Sequence, residues 1–162
     1  MQIRVATANA DEDSHDVELL LQKVYVDGGF TEAAVAESAF AASAVFNRGC
    51  VLVARDLETK KLAGMVTVVP ATSVARRFAT NDEVEMHLLA VAPAFRRMGV
   101  GDLLVRSALD STRKDGARKM ILWTQVSMTD AHRLYERHRF ERTPFRDFEK
   151  SGRQFMVFER LI

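Results

Sequence analysis

This sequence of 162 residues has a single cysteine, three prolines and no long apolar run. The one cysteine, Cys50, excludes an internal disulfide bond and is typical of a reducing compartment. No stretch approaches the roughly twenty apolar residues that a membrane-spanning helix needs. Residues 1–16 have neither the basic start nor the apolar segment of a secretory signal peptide. These absences predict a cytoplasmic protein that does not enter a membrane.

The sequence also lacks an excess of charge of either sign. Its 23 lysines and arginines nearly balance 22 acidic residues, and the net charge is +1. No general attraction toward nucleic acid follows from such a balance. The four histidines show no metal-ligand spacing with cysteine or acidic residues. We therefore expect neither nucleic acid nor a metal ion as a partner.

The apolar pattern changes repeatedly between the period of a strand and that of a helix, which is typical of a mixed α/β domain. It predicts strands at Gln2–Thr7, Cys50–Asp56, Leu62–Pro70, Glu83–Ala92, Lys119–Gln125, Phe140–Arg142 and Arg153–Leu161. It predicts helices at Asp11–Tyr25, Thr31–Phe46, Gly99–Lys114 and Thr129–Arg137. Asp13 or Ser14 is expected to cap the first helix. We expect Trp123 in the core, and Cys50, which opens an apolar strand, as a buried thiol.

The segment from Arg96 to Gly101 lies between a predicted strand and a predicted helix. The start of a helix binds anions because its first backbone N–H groups have no intrahelical partners and its dipole is positive there. Gly99 and Gly101 leave room for a phosphate, and Arg96 and Arg97 can pair with its oxygens. The segment fits neither a P-loop nor a dinucleotide fingerprint. It predicts a pyrophosphate-binding loop; the alternative is a plain helix start with solvated arginines.

Two blocks of sequence carry a family resemblance. The first is Leu89-Ala90-Val91-Ala92-Pro93 followed by Arg96-Arg97-Met98-Gly99-Val100-Gly101, and the second is Ala131-His132-Arg133-Leu134-Tyr135-Glu136-Arg137 with Phe140 after it. Together they resemble the GNAT superfamily of N-acetyltransferases, with its L-x-V-x-P strand, Q/R-x-x-G-x-G/A loop and A-x-x-L-Y-E-K/R helix. The resemblance implies one GNAT-like α/β (α+β) domain over residues 1–162. A central mixed, mostly antiparallel sheet of six to seven strands would be flanked by about four helices.

The resemblance also implies how the co-substrate acetyl-CoA would bind. Backbone amides of the loop would hold the pyrophosphate, and the strand before it would pair with the pantetheine arm like an added strand. The Leu89 N–H would stabilise the oxyanion that forms during attack. Tyr135 would contact the cofactor and act as general acid toward the leaving thiolate; the alternative is a half-buried aromatic on a helix. The full set is Leu89, Ala90, Val91, Arg96, Arg97, Met98, Gly99, Val100, Gly101, Asp102 and Tyr135.

A general base is needed because only a neutral amine attacks. Glu85 matches the position of the glutamate base in some GNAT members, and period-two alternation would put Glu85, Leu89 and Val91 on one face of their strand. His87 shares that predicted face and is the rival base, since its ordinary pKa lies near neutrality. Glu83 is a third candidate. An exposed carboxylate without a catalytic role is the alternative for Glu85.

The acceptor side is expected near the turn that separates the first two helices. Tyr25 and Phe30 flank this turn and would wall an acceptor pocket together with Glu85 and His87. A capping turn with ordinary core aromatics is the alternative. Two departures from the family pattern lie elsewhere: Met128 replaces a common asparagine, and Arg139 replaces the glycine that usually precedes the last phenylalanine.

The sequence thus predicts an acyltransferase that moves an acetyl group from acetyl-CoA to a primary amine of a small molecule. Attack would be direct, in a ternary complex. The alternatives are a protein N-terminal or lysine acetyltransferase and a noncatalytic acyl-CoA-binding sensor. Many relatives dimerise through C-terminal strands, so a homodimer is one expected state.

Overall fold

A computed structural model describes residues 1–162 as a twisted eight-stranded sheet with helices on both faces. The strands are β1 Ile3–Thr7, β2 Cys50–Asp56, β3 Leu62–Pro70, β4 Glu83–Val91, β5 Lys119–Gln125, β6 Glu141–Arg142, β7 Phe148–Lys150 and β8 Arg153–Leu161. The α-helices are α1 Ala10–Leu21, α2 Ala33–Ala39, α3 Ala42–Phe46, α4 Val100–Lys114 and α5 Thr129–Arg137. A π-helical turn, Gln22–Val26, continues α1. None of the helices combines the length and apolar character that crossing a bilayer requires.

The strand order is β1-β2-β3-β4-β5-β8-β6, and β7 also pairs with β8. All pairs are antiparallel except β4 with β5, as the predicted mostly antiparallel sheet requires. The parallel pairing runs only from Glu83 with Lys119 to Met86 with Leu122. The C-terminal halves of these two strands are therefore not hydrogen-bonded to each other, and backbone groups remain there for another chain or ligand.

Helix boundaries depart from the predictions in two places. Asn9, rather than Asp13 or Ser14, caps α1: its side chain accepts from the Asp11 amide at 2.9 Å. The alanine-rich segment forms two short helices instead of one, because the chain leaves helical geometry at Phe40. That residue is buried, and its ring lies 5.4 Å from the Tyr25 ring. Tertiary packing here overrides the helix propensity of alanine.

A β-bulge interrupts β4 beside β3. Met65 pairs with Ala90 and Thr67 pairs with His87, so two steps along β3 match three along β4. The extra residue coincides with Leu88, whose φ of 54° lies in the left-handed region. A bulge of this kind re-aims side chains by breaking the alternation of the strand.

The predicted common face for Glu85, Leu89 and Val91 is therefore wrong. Glu85 and His87 lie on the face that carries α1 to α3, whereas Leu89 and Val91 pack against the core on the opposite face. The alternation of side chains along a strand does not predict their faces here. The one additional residue in the bulge moves every later side chain to the opposite face of the sheet.

Two hydrophobic cores lie on the two faces of the sheet. One core lies beneath α4 and α5, and it contains Leu104, Leu122 and the fully buried Phe158. The other lies beneath α1 to α3 and contains Val17 and Met65. Burying a side chain of this size stabilises the fold by about 1.5–3 kcal/mol. Cys50 belongs to neither core: it is exposed at the very start of β2, which corrects the predicted buried thiol.

Candidate active site

The predicted pyrophosphate loop ends at the start of α4. Gly99 is the N-cap residue, with a φ of 79° that favours glycine, and no side chain caps the helix. The Leu103 amide donates to the Gly99 carbonyl at 3.0 Å. The amides of Val100, Gly101 and Asp102 precede that first intrahelical bond and have no intrahelical partner. The loop thus presents three backbone donors at the positive end of the helix dipole.

Glycine is favoured at the two positions of this loop for different structural reasons. A Cβ atom at Gly99 would meet nothing within 4 Å, so the positive φ is what restricts this position. A Cβ atom at Gly101 would lie 3.1 Å from Leu134 Cδ2 and 3.8 Å from Val91 Cγ2. Gly101 therefore lets α4 approach both α5 and β4, in addition to any role in leaving room for a ligand.

A cavity of about 580 Å³ lies between β4, the loop and the starts of α4 and α5. We call it the donor cavity. Most of the predicted cofactor residues line it: Leu89, Val91, Arg96, Arg97, Gly99, Val100, Gly101 and Asp102. Ala90 does not, because the bulge turns it into the opposite core. Met98 is exposed outside the cavity.

A second cavity, of about 460 Å³, lies on the other side of Leu89, and we call it the acceptor cavity. Tyr25, Phe30, His87 and Tyr135 line it, and Tyr135 does not line the donor cavity. Both cavities are lined by Tyr25, Phe30, Leu89, Met128 and Ala131. The two cavities therefore meet at Leu89, beside the point where β4 and β5 stop pairing.

Glu85 is buried and lines neither cavity. Its carboxylate accepts hydrogen bonds from the Arg77 and Ala79 amides at 2.8 Å and from the Phe78 amide. The Nε2 atom of His87 lies 2.7 Å from Glu85 Oε2. These partners occupy most of the hydrogen-bond acceptor sites of the carboxylate. Glu85 thus reaches the acceptor cavity only through His87.

His87 links this buried carboxylate to the acceptor cavity. Since Glu85 accepts at Nε2, the neutral ring carries its proton there, and the lone pair of Nδ1 accepts a hydrogen bond from the Arg48 guanidinium. Nδ1 faces Arg48 Nη1 at 3.3 Å. Burial lowers the pKa of His87, and the opposing effect of the Glu85 carboxylate does not restore it. The Nδ1 atom of this neutral imidazole can accept a proton when the Arg48 guanidinium no longer donates to it.

The pKa of Glu85 is also lowered. Burial alone would raise it, but hydrogen bonds from His87 and from the amides of Phe78, Ala79 and Arg77 outweigh that effect. Its charge is the form that the surrounding donors stabilise, so Glu85 remains a carboxylate at neutral pH.

These pKa shifts predict two steps in the stability of the protein as the pH falls. A group whose pKa is lowered by folding stabilises the native state above its unfolded pKa, and this contribution is lost at lower pH. For His87 the loss begins near pH 6.5, where the unfolded side chain takes up a proton first; for Glu85 it begins near pH 4.5. The free energy of unfolding, measured by urea titration from pH 8 to 4, should fall in both windows.

The His87→Gln variant separates the two windows. It should lose the step that begins near pH 6.5 and keep the step below pH 4.5. The titratable and charged groups that act on His87 are Glu85, Arg48 and Lys150. If the variant kept the wild-type step near pH 6.5, another group would be responsible for it.

The two tyrosines of the chain lie on either side of the junction at Leu89. The Tyr25 hydroxyl donates to the Leu89 carbonyl at 2.9 Å, which fixes the backbone next to the bulge. Tyr135 is 6% exposed and packs against Phe140 and Phe158. Burial and the nearby Tyr25 raise the pKa of Tyr135, so its hydroxyl keeps its proton at all physiological pH values.

The structure shows the surroundings of both residues that depart from the family pattern, Arg139 and Met128. Arg139 adopts the left-handed conformation, with a φ of 62°, so the turn keeps the geometry that a glycine there would favour. Phe140 is buried after it. Met128 lines both cavities, and its neighbours Ser127 and Thr129 line the donor cavity with hydroxyl groups available for a ligand.

Two side chains of the acceptor cavity were missed by the sequence analysis. Trp123 was expected in the core but is half-buried and lines the cavity, with its ring 4.6 Å from the His87 ring. Arg48 lies in the turn before β2, and no sequence signal relates it to His87. No group of three or more His, Cys, Asp or Glu side chains is arranged to hold a metal ion.

Comparison with known sequences identifies a family. The profile of the acetyltransferase (GNAT) family matches residues 16–140. A mycothiol acetyltransferase from Corynebacterium glutamicum (strain R) is 40% identical over 53 residues, which are 33% of this chain and 18% of that protein. The chain thus matches under a fifth of the length of this curated relative.

Comparison with solved structures confirms the predicted fold class. An acetyltransferase of the GNAT family from Staphylococcus aureus Mu50 gives a TM-score of 0.80 at 12% identity, over 99% of both chains. The PaiA N-acetyltransferase of Thermoplasma acidophilum, solved in complex with coenzyme A, gives 0.75 at 13% identity, over 97% of this chain and 98% of that one. At these identities the likeness concerns the fold alone.

Proposed function

We propose, because the chain belongs to the acetyltransferase (GNAT) family, that it transfers an acetyl group from acetyl-CoA to a primary amine of a small molecule. The observation that carries this proposal is the meeting of the donor and acceptor cavities at Leu89. Two ligands that enter from opposite sides can react only where their cavities join. We also propose that residues 1–162 act as one such domain. The cytoplasmic location stays a prediction.

The donor cavity has the groups that a nucleotide thioester requires. The free amides at the start of α4 would hold the pyrophosphate, with Arg96 and Arg97 as counter-charges. The unpaired C-terminal half of β4 would hydrogen-bond the pantetheine arm as an added strand. Acetyl-CoA bound in this way supplies the activated acetyl group. The Leu89 N–H would then donate to the thioester carbonyl oxygen as negative charge develops on it.

We assign the role of base to His87 and that of an orienting group to Glu85. The Nδ1 atom of His87 would accept a proton from the acceptor ammonium, directly or through water, and release the neutral amine. Glu85 fixes the ring and its tautomer through Nε2, and it stabilises the charge that forms on the ring. Glu83, the third candidate, is engaged by Lys119 at 3.4 Å and lines neither cavity.

Tyr135 would complete the transfer. The amine nitrogen forms a bond to the acyl carbon, the carbon–sulfur bond breaks, and the Tyr135 hydroxyl donates a proton to the departing sulfur. The raised pKa of Tyr135 keeps this proton available. The second proton that the nitrogen loses on becoming an amide returns to the Tyr135 oxygen, directly or through water. The proton that His87 accepts from the ammonium passes to solvent, so each cycle yields the amide, the thiol and one released proton.

The proposed function is tested by measuring thiol release from acetyl-CoA with a panel of small amines, a lysine peptide and a peptide with a free N-terminus. We expect release that depends on a small amine, together with the corresponding N-acetylated product by mass spectrometry. Release only with a peptide would favour the protein acetyltransferase. Tight binding of acetyl-CoA without turnover on any amine would favour the sensor.

A further inference from the structure

We infer that the acceptor is a small amine that carries an anionic group, a carboxylate or a phosphate, beside an apolar portion. This inference rests on the proposed function and narrows its substrate class. It follows from the charges, the unpaired guanidinium and the aromatic wall of the acceptor cavity.

The acceptor cavity is strongly basic although the whole chain has a net charge of only +1. Four basic side chains line it without forming a salt bridge: Arg48, Arg76, Arg77 and Lys150. A fifth, Arg153, pairs with Glu32 at 3.2 Å. Glu32 is the only acidic residue of the lining, and its side chain is 75% exposed, so it lies at the rim. Arg76, Arg77 and Lys150 are also exposed, whereas Arg48 is half-buried, so the lining as a whole has an excess of positive charge.

Arg48 is the basic residue closest to the reacting groups. It is half-buried, and its Nη1 and Nη2 atoms contact only neutral acceptors, His87 Nδ1 and the Ala39 carbonyl, both at 3.3 Å. Burial lowers the pKa of Arg48. A guanidinium has five N–H donors, and most of them have no partner here. A carboxylate or phosphate would supply the bidentate partner that this geometry favours.

Part of the cavity lining is aromatic. Phe148 stacks on Phe155 with ring centroids 5.0 Å apart, and Trp123 meets Phe148 edge-on at 5.9 Å. The Arg77 guanidinium lies 3.6 Å from the centroid of the Phe148 ring, so a cation already occupies the ring face that a cationic ligand would use. An apolar portion of the acceptor fits these aromatic rings, and its anionic group fits the Arg48 guanidinium.

The same charges disfavour a polyamine acceptor. A second ammonium group would meet the positive field of Arg48 and Lys150 without a carboxylate to pair with. For a single amine the field is useful, because nearby positive charge lowers the pKa of a bound ammonium and raises its neutral, attacking fraction. An anionic group on the acceptor offsets the repulsion while the amine lies near His87.

The test compares matched acceptors that differ in one charge. L-Phenylalanine is compared with 2-phenylethylamine, which lacks the carboxylate, and phosphoethanolamine with ethanolamine, which lacks the phosphate; spermidine is the polyamine. In at least one pair we expect the member with the carboxylate or phosphate to have a kcat/KM at least about tenfold higher than the member without it. The pair that shows this difference indicates whether the site prefers a carboxylate or a phosphate. Arg48→Gln should reduce this ratio by about tenfold, whereas Arg106→Gln, an exposed arginine outside both cavities, should leave it unchanged.

A readout independent of turnover separates this inference from the proposed function. N-acetylphenylalanine and N-acetylphosphoethanolamine are titrated calorimetrically into wild-type protein saturated with coenzyme A and into Arg48→Gln. Binding of one of them, weakened in Arg48→Gln, supports an anion-binding acceptor site even without measured transfer. Binding of neither, or equal binding by the two proteins, overturns the inference. Faster acetylation of spermidine or 2-phenylethylamine than of the anionic amines overturns it too, but leaves acetyl transfer standing.

Discussion

Gly101→Glu should bind coenzyme A about a hundredfold more weakly than the wild-type chain, because like charges placed together in a complex cost several kcal/mol. The Cβ of residue 101 is directed toward Leu134 and Val91, across the donor cavity. A carboxylate there lies in the first turn of α4 and competes for the amides that would hold the pyrophosphate. Isothermal titration with coenzyme A measures the loss directly.

Gly101→Gln is the matched control, since glutamine has nearly the volume of glutamate without its charge. Its affinity for coenzyme A should fall about tenfold, because the glutamine side chain displaces Leu134 and narrows the cavity. Both side chains have a better helix propensity than glycine, so thermal unfolding should show both variants folded. Equal affinity of the Glu and Gln variants would mean that no anionic group of the ligand lies near this turn.

Tyr135→Phe should lower kcat by about a hundredfold, the usual contribution of a general acid, with little change in the affinity for coenzyme A. The phenyl ring keeps the packing against Phe140 and Phe158, so only the hydroxyl is lost. Steady-state kinetics with saturating acceptor give kcat, and titration with coenzyme A gives the affinity. A kcat equal to that of the wild type would remove Tyr135 from the proposed mechanism.

The pH dependence offers a second check on Tyr135. Burial raises its pKa well above the ordinary value for tyrosine. The acid therefore stays protonated, and wild-type kcat should show no loss from deprotonation of this group between pH 7 and about pH 9.5, below the reference tyrosine pKa of about 10. A drop in that range that is absent in Tyr135→Phe would indicate a far more acidic hydroxyl and a different environment.

The sequence predicted most of the sheet because its strands are continuous apolar runs between polar turns. The bounds of β2, β3, β5 and β8 agree with the structure residue for residue. The sequence did not predict the elements whose bounds are determined by tertiary contacts. The break at Phe40 follows from burial of that ring, and β7 is too short to have a periodicity of its own. The sheet consequently has eight strands rather than six or seven.

The donor side was more predictable than the acceptor side for a physical reason. A pyrophosphate loop is local: a strand end, glycines and a helix start follow each other in sequence. The acceptor cavity instead combines residues from distant elements, such as Arg48 before β2, Trp123 on β5 and Lys150 on β7. The bulge was also invisible, because Leu88 is an ordinary apolar residue for a strand. The roles of the individual site residues stay predictions until variants are measured.

The bulge at Leu88 has a consequence for how such a protein can evolve. It divides one strand into two halves whose side chains face differently: His87 before it lines only the acceptor cavity, Val91 after it lines only the donor cavity, and Leu89 lines both. Substitutions can therefore change acceptor preference while the machinery for the common acyl donor is inherited intact. A single-residue deletion would be far more disruptive than any substitution, because it would exchange the two faces and lose both ligands at once.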